Sequence, residues 1–86
     1  MSANLPTRAE GVVARRAEGL LYDTGSGKLH ALNPSAMAIW EACDGMTSVA
    51  EIAAAVAELS GRGHDESLGE VEETVVSLRE RGLLNP

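Results

Sequence analysis

The stretch Lys28-Leu29-His30-Ala31-Leu32-Asn33-Pro34-Ser35-Ala36-Met37-Ala38-Ile39-Trp40 decides the fold, because the apolar spacing changes in its middle. Up to Leu32 the residues alternate two by two, as in a strand. From Pro34 onward, Ala36, Met37, Trp40 and Cys43 fall on one face of a helix at spacings of three and four. Asn33 is a good helix N-cap. Pro34 suits the first helical position, where its missing N–H has no partner to lose. A strand therefore hands over to a helix at Asn33-Pro34.

Working upstream, two more short β-prone runs appear. Val12-Val13-Ala14-Arg15 is followed by a turn at Ala17-Glu18-Gly19, and Leu20-Leu21-Tyr22 is closed by Asp23-Thr24-Gly25-Ser26-Gly27. Three runs joined by tight turns make an antiparallel meander whose first and third strands are edges. In the third strand the inward pair is either Leu29 and Ala31 or His30 and Leu32. Residues 1–10 show no period and read as a flexible N-terminal arm, leaving 11–86 as the folded domain.

Working downstream, Gly45 ends the first helix. A second begins at Ser48, where Ser48 and Glu51 have capping-box spacing. Its apolar stripe is Val49, Ile52, Val56 and Leu59, and Gly61 and Gly63 break it. A third helix starts near Asp65 to Ser67, with Ser67 and Glu70 read as a second box. Leu68, Val71, Val75 and Leu78 form its stripe, Gly82 ends it, and Leu83-Leu84 return to the core. Three strands followed by three helices give an α+β domain, winged-helix-like in outline: an N-terminal three-stranded antiparallel sheet beside a three-helix cluster.

Composition narrows the function. The chain has 86 residues, one domain's worth, with 7 basic against 13 acidic residues and a net charge of −6. The charge is uneven. Residues 1–32 carry a net +1, whereas residues 33–86 set three Arg against ten acids, a net of −7. In a winged helix the third helix is the recognition helix, and here it carries Glu66, Glu70, Glu72, Glu73 and Glu80 against Arg79 and Arg81. Such a helix is repelled by phosphate, which disfavours the alternative of a DNA-binding regulator. No apolar run approaches the ~20 residues of a membrane span. A single cysteine and no visible targeting segment lead us to expect a cytoplasmic protein. The core is Leu, Val and Ala, with 13 Ala, no Phe, and Tyr22 and Trp40 as the only aromatics.

No catalytic constellation stands out. Cys43, His30 and His64 are the only conventional nucleophile or metal candidates, and they match no ligand or triad spacing. Cys43 reads as a small core hydrophobe, and the two histidines as surface groups. Gly25, Gly27 and Lys28 lead into a strand, not a helix, so they read as a hairpin turn and not a phosphate loop. Asp65-Glu66-Ser67-Leu68 has a slight likeness to the phosphopantetheine site of acyl carrier proteins, but those are all-helical, and Ser67 reads better as a cap. We therefore expect no enzyme activity, no cofactor and no metal. On the third helix, Glu72, Val76 and Arg79 form a shoulder beside the core stripe. It reads either as a widened core edge or as one wall of a groove.

The ordered set Leu32-Asn33, Ala36, Ile39-Trp40, Asp44-Gly45, Ser48, Glu51-Ile52 and Arg81-Gly82-Leu83-Leu84 resembles the PqqD family over about residues 8–85. These are peptide chaperones named for pyrroloquinoline quinone biosynthesis. Related domains are precursor-peptide recognition elements for ribosomally made, modified peptides. The resemblance implies a domain that binds a leader peptide as an added strand beside the third strand and against the third helix. It then presents that peptide to a modifying enzyme, often a radical SAM protein. The implied peptide-binding residues are Lys28, Leu29, His30, Ala31 and Leu32 on the edge and Glu72, Val76 and Arg79 on the helix. Two or so apolar side chains of the leader are expected to be buried between the two. An open edge is equally suited to a second copy, so a homodimer is an alternative use of it.

Overall fold

The computed structural model describes residues 5–86. The element order is β1 (Val12–Arg15), a single 3-10 turn (Arg16–Glu18), β2 (Leu20–Asp23), β3 (Lys28–Ala31), α1 (Pro34–Ala42), α2 (Val49–Ser60) and α3 (His64–Glu80). The sheet is antiparallel in the order β1-β2-β3, and the three helices follow it, so the fold is α+β as the periodicity predicts.

Local chemistry accounts for the boundaries. Asn33 Oδ1 accepts the Ala36 N–H at 2.8 Å, and Pro34 opens α1. Between β1 and β2 the chain reverses at Gly19, whose φ of +69° is left-handed. A side chain there would also press to 2.9 Å from the Leu32 carbonyl, so only glycine fits. α2 opens on a complete capping box: Ser48 Oγ accepts the Glu51 N–H at 3.1 Å, and Glu51 Oε1 accepts the Ser48 N–H at 2.8 Å.

The core lies between the sheet and the helices. Leu21 is the buried strand residue, with Val12 and Leu32 packed at its margin. Met37, Ile39, Trp40 and Cys43 come from α1 and its end, Ile52 and Ala53 from α2, Val71, Val75 and Leu78 from α3, and Leu83 and Leu84 from the tail. The tail is held by Trp40, whose Nε1 donates to the Leu83 carbonyl at 3.0 Å.

Four expectations need correction. α3 begins at His64 with Gly63 as its N-cap, so Ser67 is not a cap; its side chain lies in the core and is fully buried. Asp65 and Glu66 in the first turn already complement the helix dipole, and a Ser–Glu pair at this spacing occurs inside a helix as readily as before one. Leu59, the last member of the α2 stripe, is exposed. Gly45 is left-handed as expected, but it lies beyond the end of α1, which Cys43 caps. Its N–H donates to the Pro6 carbonyl at 3.0 Å, and a Cβ there would meet Thr7 Oγ1 at 2.9 Å. Finally, the described part of the arm is pinned. Arg8 N–H donates to the Cys43 carbonyl at 2.9 Å, Ala9 N–H to Leu83 at 3.1 Å, and Asn85 N–H to Thr7 at 2.9 Å, while Pro6 is buried. These residues have no period because they pair one by one with two loops instead of lying in a sheet. The arm's first residues, 1–4, lie outside the described residues.

The molecule measures 37 × 33 × 17 Å. Its thin dimension leaves little depth, and the hollows over the sheet and beside α3 open to the surface.

Candidate functional site

β3 lies at the margin of the sheet and pairs with β2 alone, in the register Leu20–Ala31, Leu21–His30, Tyr22–Leu29 and Asp23–Lys28. Its backbone phase follows from one bond. Leu32 N–H donates to the Gly19 carbonyl at 2.8 Å, so Leu32 faces β2. In an antiparallel ladder this alternates: His30 and Lys28 also bond toward β2, while the N–H and C=O groups of Leu29 and Ala31 point away from it. The open margin therefore presents four backbone groups from two residues. The hairpin that sets this register is held by Asp23, whose carboxylate accepts from Gly25 N–H and Ser26 Oγ, both at 3.0 Å. The Ser26 hydroxyl and the Gly25 N–H hold that carboxyl below its ordinary value.

The side chains settle which way β3 faces. His30 and Leu32 turn inward and are half-buried, whereas Leu29 and Ala31 turn outward. Leu29 is 61% exposed. Its cross-strand neighbours on the same outer face are Tyr22, 38% exposed, and Val13, 52% exposed. Leu20 and Arg15 continue this face next to Ala31, and a shallow hollow runs over Val13, Leu20, Tyr22 and Leu29. The outer-face row is a feature that sequence reading missed. Its signal was present as Val13, Tyr22 and Leu29, one per run, but became legible only with the register.

On α3, Val76 is 53% exposed and Glu72 is exposed beside it, while Arg79 is half-buried and its Nε donates to the Asn85 carbonyl at 3.3 Å. The structure brings Glu72, Val76 and Arg79 together as expected. Their groove is completed by Ser48, Val49 and Ala50 at the start of α2. α3 packs chiefly on α2 and then α1. The groove at the helix shoulder is lined by Ser48, α2 and α3, with no residue of β3. Around Val76 the exposed residues Glu72, Glu73 and Glu80 make the helix surface anionic, which opposes contact with a phosphate backbone.

The remaining candidates have structural explanations. Cys43 is fully buried, its Sγ donates to the Ile39 carbonyl at 3.1 Å, and burial pushes its thiol up to about 11. A thiol in that state is a poor nucleophile. His64 is exposed at the first turn of α3. Among the described residues no group of three or more His, Cys, Asp or Glu is placed to hold a metal ion, and no helix is long and apolar enough to cross a membrane.

A family model described as Coenzyme PQQ synthesis protein D (PqqD) matches residues 18–84. The chain belongs to the PqqD family. The PqqD match spans β2, β3 and all three helices, so it takes in both the strand edge and the α3 shoulder. The PqqD family binds peptide in the biosynthesis of a peptide-derived cofactor, and its members are accessory proteins without catalysis of their own. No curated protein and no solved structure gave a significant match to the chain.

Proposed function

We propose that this chain binds the leader segment of a precursor peptide as a fourth strand along β3 and presents it to a peptide-modifying enzyme, a radical SAM protein in the family's usual pairing. It does no chemistry itself. The observation that carries this reading is the unpaired margin of β3, where Leu29 and Ala31 turn their backbone groups away from β2. Lys28, His30 and Leu32 hold that margin in place from the inner side.

Magnitudes indicate that the ladder needs help. Four backbone hydrogen bonds at ~0.5–1.5 kcal/mol each give ~2–6 kcal/mol. A micromolar complex needs ~8 kcal/mol after ordering costs. Apolar side chains at ~1.5–3 kcal/mol each close the gap. In our reading the leader continues beyond the paired strand to the α3 shoulder, where Val76 supplies apolar contact and Glu72 and Arg79 flank it.

The test is a titration of the full chain with a fluorescently labelled leader peptide. Val76→Asp is expected to weaken binding about tenfold or more with the far-UV circular dichroism unchanged, since Val76 is already half in water. Unaltered affinity would remove the α3 shoulder from the site.

A further inference from the structure

The shoulder groove on α3 is tied from behind by a segment that lies outside it. We infer that residues 6–9 are a positioning strap, which fixes the two walls of that groove relative to each other and so sets its affinity for peptide. This inference rests on the reading of Val76 and its flanks as peptide contacts. The family match begins at residue 18, so the strap is argued from this chain's own N-terminal residues.

The backbone bonds of the strap alternate between two neighbours. Toward the loop that leads into α2, the Pro6 carbonyl accepts the Gly45 N–H at 3.0 Å, and the Arg8 N–H donates to the Cys43 carbonyl at 2.9 Å. Toward the tail that follows α3, the Thr7 carbonyl accepts the Asn85 N–H at 2.9 Å, and the Ala9 N–H donates to the Leu83 carbonyl at 3.1 Å. Thr7 lies opposite Asp44 and Arg8 opposite Leu84, both antiparallel, so the strap runs between loop and tail as a middle strand. Side chains anchor it. Pro6 is buried, and the Arg8 guanidinium sits 5.6 Å from the centre of the Trp40 ring and donates to the Glu41 carbonyl.

Both neighbours lead into the groove. The loop runs directly into Ser48, Val49 and Ala50, which form one wall. On the other side, the Asn85 carbonyl accepts from Arg79 Nε at 3.3 Å, and Arg79 belongs to the opposite wall. Asn85 is therefore a relay, with its N–H on the strap and its carbonyl on the shoulder arginine. No strap residue lines the groove itself. A strap held by single bonds to a loop and a tail can open without unfolding the helices, so the groove has a docked and a released state. A peptide that fits the docked walls binds the released state less well and, by linkage, holds the strap down.

The experiment selects a synthetic peptide by panning a phage-displayed library of random twelve-residue peptides on the immobilised full chain. Its affinity is measured for the wild type, Val76→Asp and Asn85→Pro, well below their thermal transitions. Asn85→Pro deletes the N–H that Thr7 accepts but keeps the carbonyl that Arg79 reaches. Binding to Asn85→Pro should weaken about tenfold with the far-UV circular dichroism unchanged. The NMR signal of the Arg79 Nε–H should also shift in the free variant. A strap that only adds stability would lower the transition temperature and move neither. Affinity or signal unchanged in Asn85→Pro, beside weakened binding to Val76→Asp, overturns the strap inference and leaves the shoulder reading standing. Undiminished binding to Val76→Asp, or no enriched peptide at all, overturns the shoulder reading and this inference with it. Should Asn85→Pro lose its fold, amide exchange on the unaltered chain decides: the Gly45 and Asn85 N–H groups should slow about tenfold when peptide is bound, and unchanged rates overturn the strap.

Discussion

Ser67 sits inside α3 with its hydroxyl sealed in the core and without a hydrogen-bond partner. Removing an unpartnered buried hydroxyl relieves a desolvation cost, so Ser67→Ala is expected to leave stability unchanged or raise it by ~1 kcal/mol in urea unfolding. A loss of ~1 kcal/mol would instead mean that the hydroxyl has a hydrogen-bond partner in the folded chain. Cys43 gives the second prediction at this scale. Its thiol is pushed from 9.0 to about 11 by burial, so the folded state favours the protonated form. The stability this contributes is whole below about pH 9 and drains away as the pH rises through about 11, by up to ~3 kcal/mol. Between those pH values the wild type should lose more stability than Cys43→Ala, and a thiol reagent at pH 8 should label Cys43 only as fast as the chain unfolds. Its burial was legible from its place on the α1 stripe. The place of Ser67 was not, because the same two residues serve as a box or as interior positions depending on where the helix starts.

At the scale of elements, the change of period at Asn33-Pro34 was enough to place β3 and α1, because an N-cap and an N1 proline are local chemistry and need no tertiary information. Which way β3 faces was not legible. Leu29 and Ala31 alternate with His30 and Leu32 equally well, and a one-residue slip exchanges the two faces. The hairpin Asp23–Lys28 and the Leu32–Gly19 bond break the tie in the folded chain. The same phase separates two proline substitutions. Ala31→Pro removes an N–H that points away from β2 and should keep a cooperative thermal transition within a few degrees of the wild type. His30→Pro removes a ladder bond and should cost ~3 kcal/mol or unfold the sheet. Equal loss from both would mean that Ala31 is bonded within the chain.

At the scale of the whole molecule, the layer order followed from the sequence, while the relation between the two candidate surfaces did not. Glu72, Val76 and Arg79 share a helix face by spacing alone, but their neighbour across the groove, α2, is fixed by packing between residues distant in sequence. The body is only 17 Å thick and the hollows at the shoulder and on the outer face of the sheet are open to solvent, so recognition falls to an edge and a shoulder. This geometry makes the exposed margin of β3 the centre of the account. The most direct measurement is amide hydrogen exchange by NMR on the full chain, free and saturated with leader peptide. The Leu29 and Ala31 amides should slow at least tenfold on binding, while that of His30, bonded toward β2, and that of Lys28, which donates to Ser26 Oγ at 3.2 Å, change little. A bound peptide that leaves Leu29 and Ala31 exchanging as in the free chain would contradict strand addition.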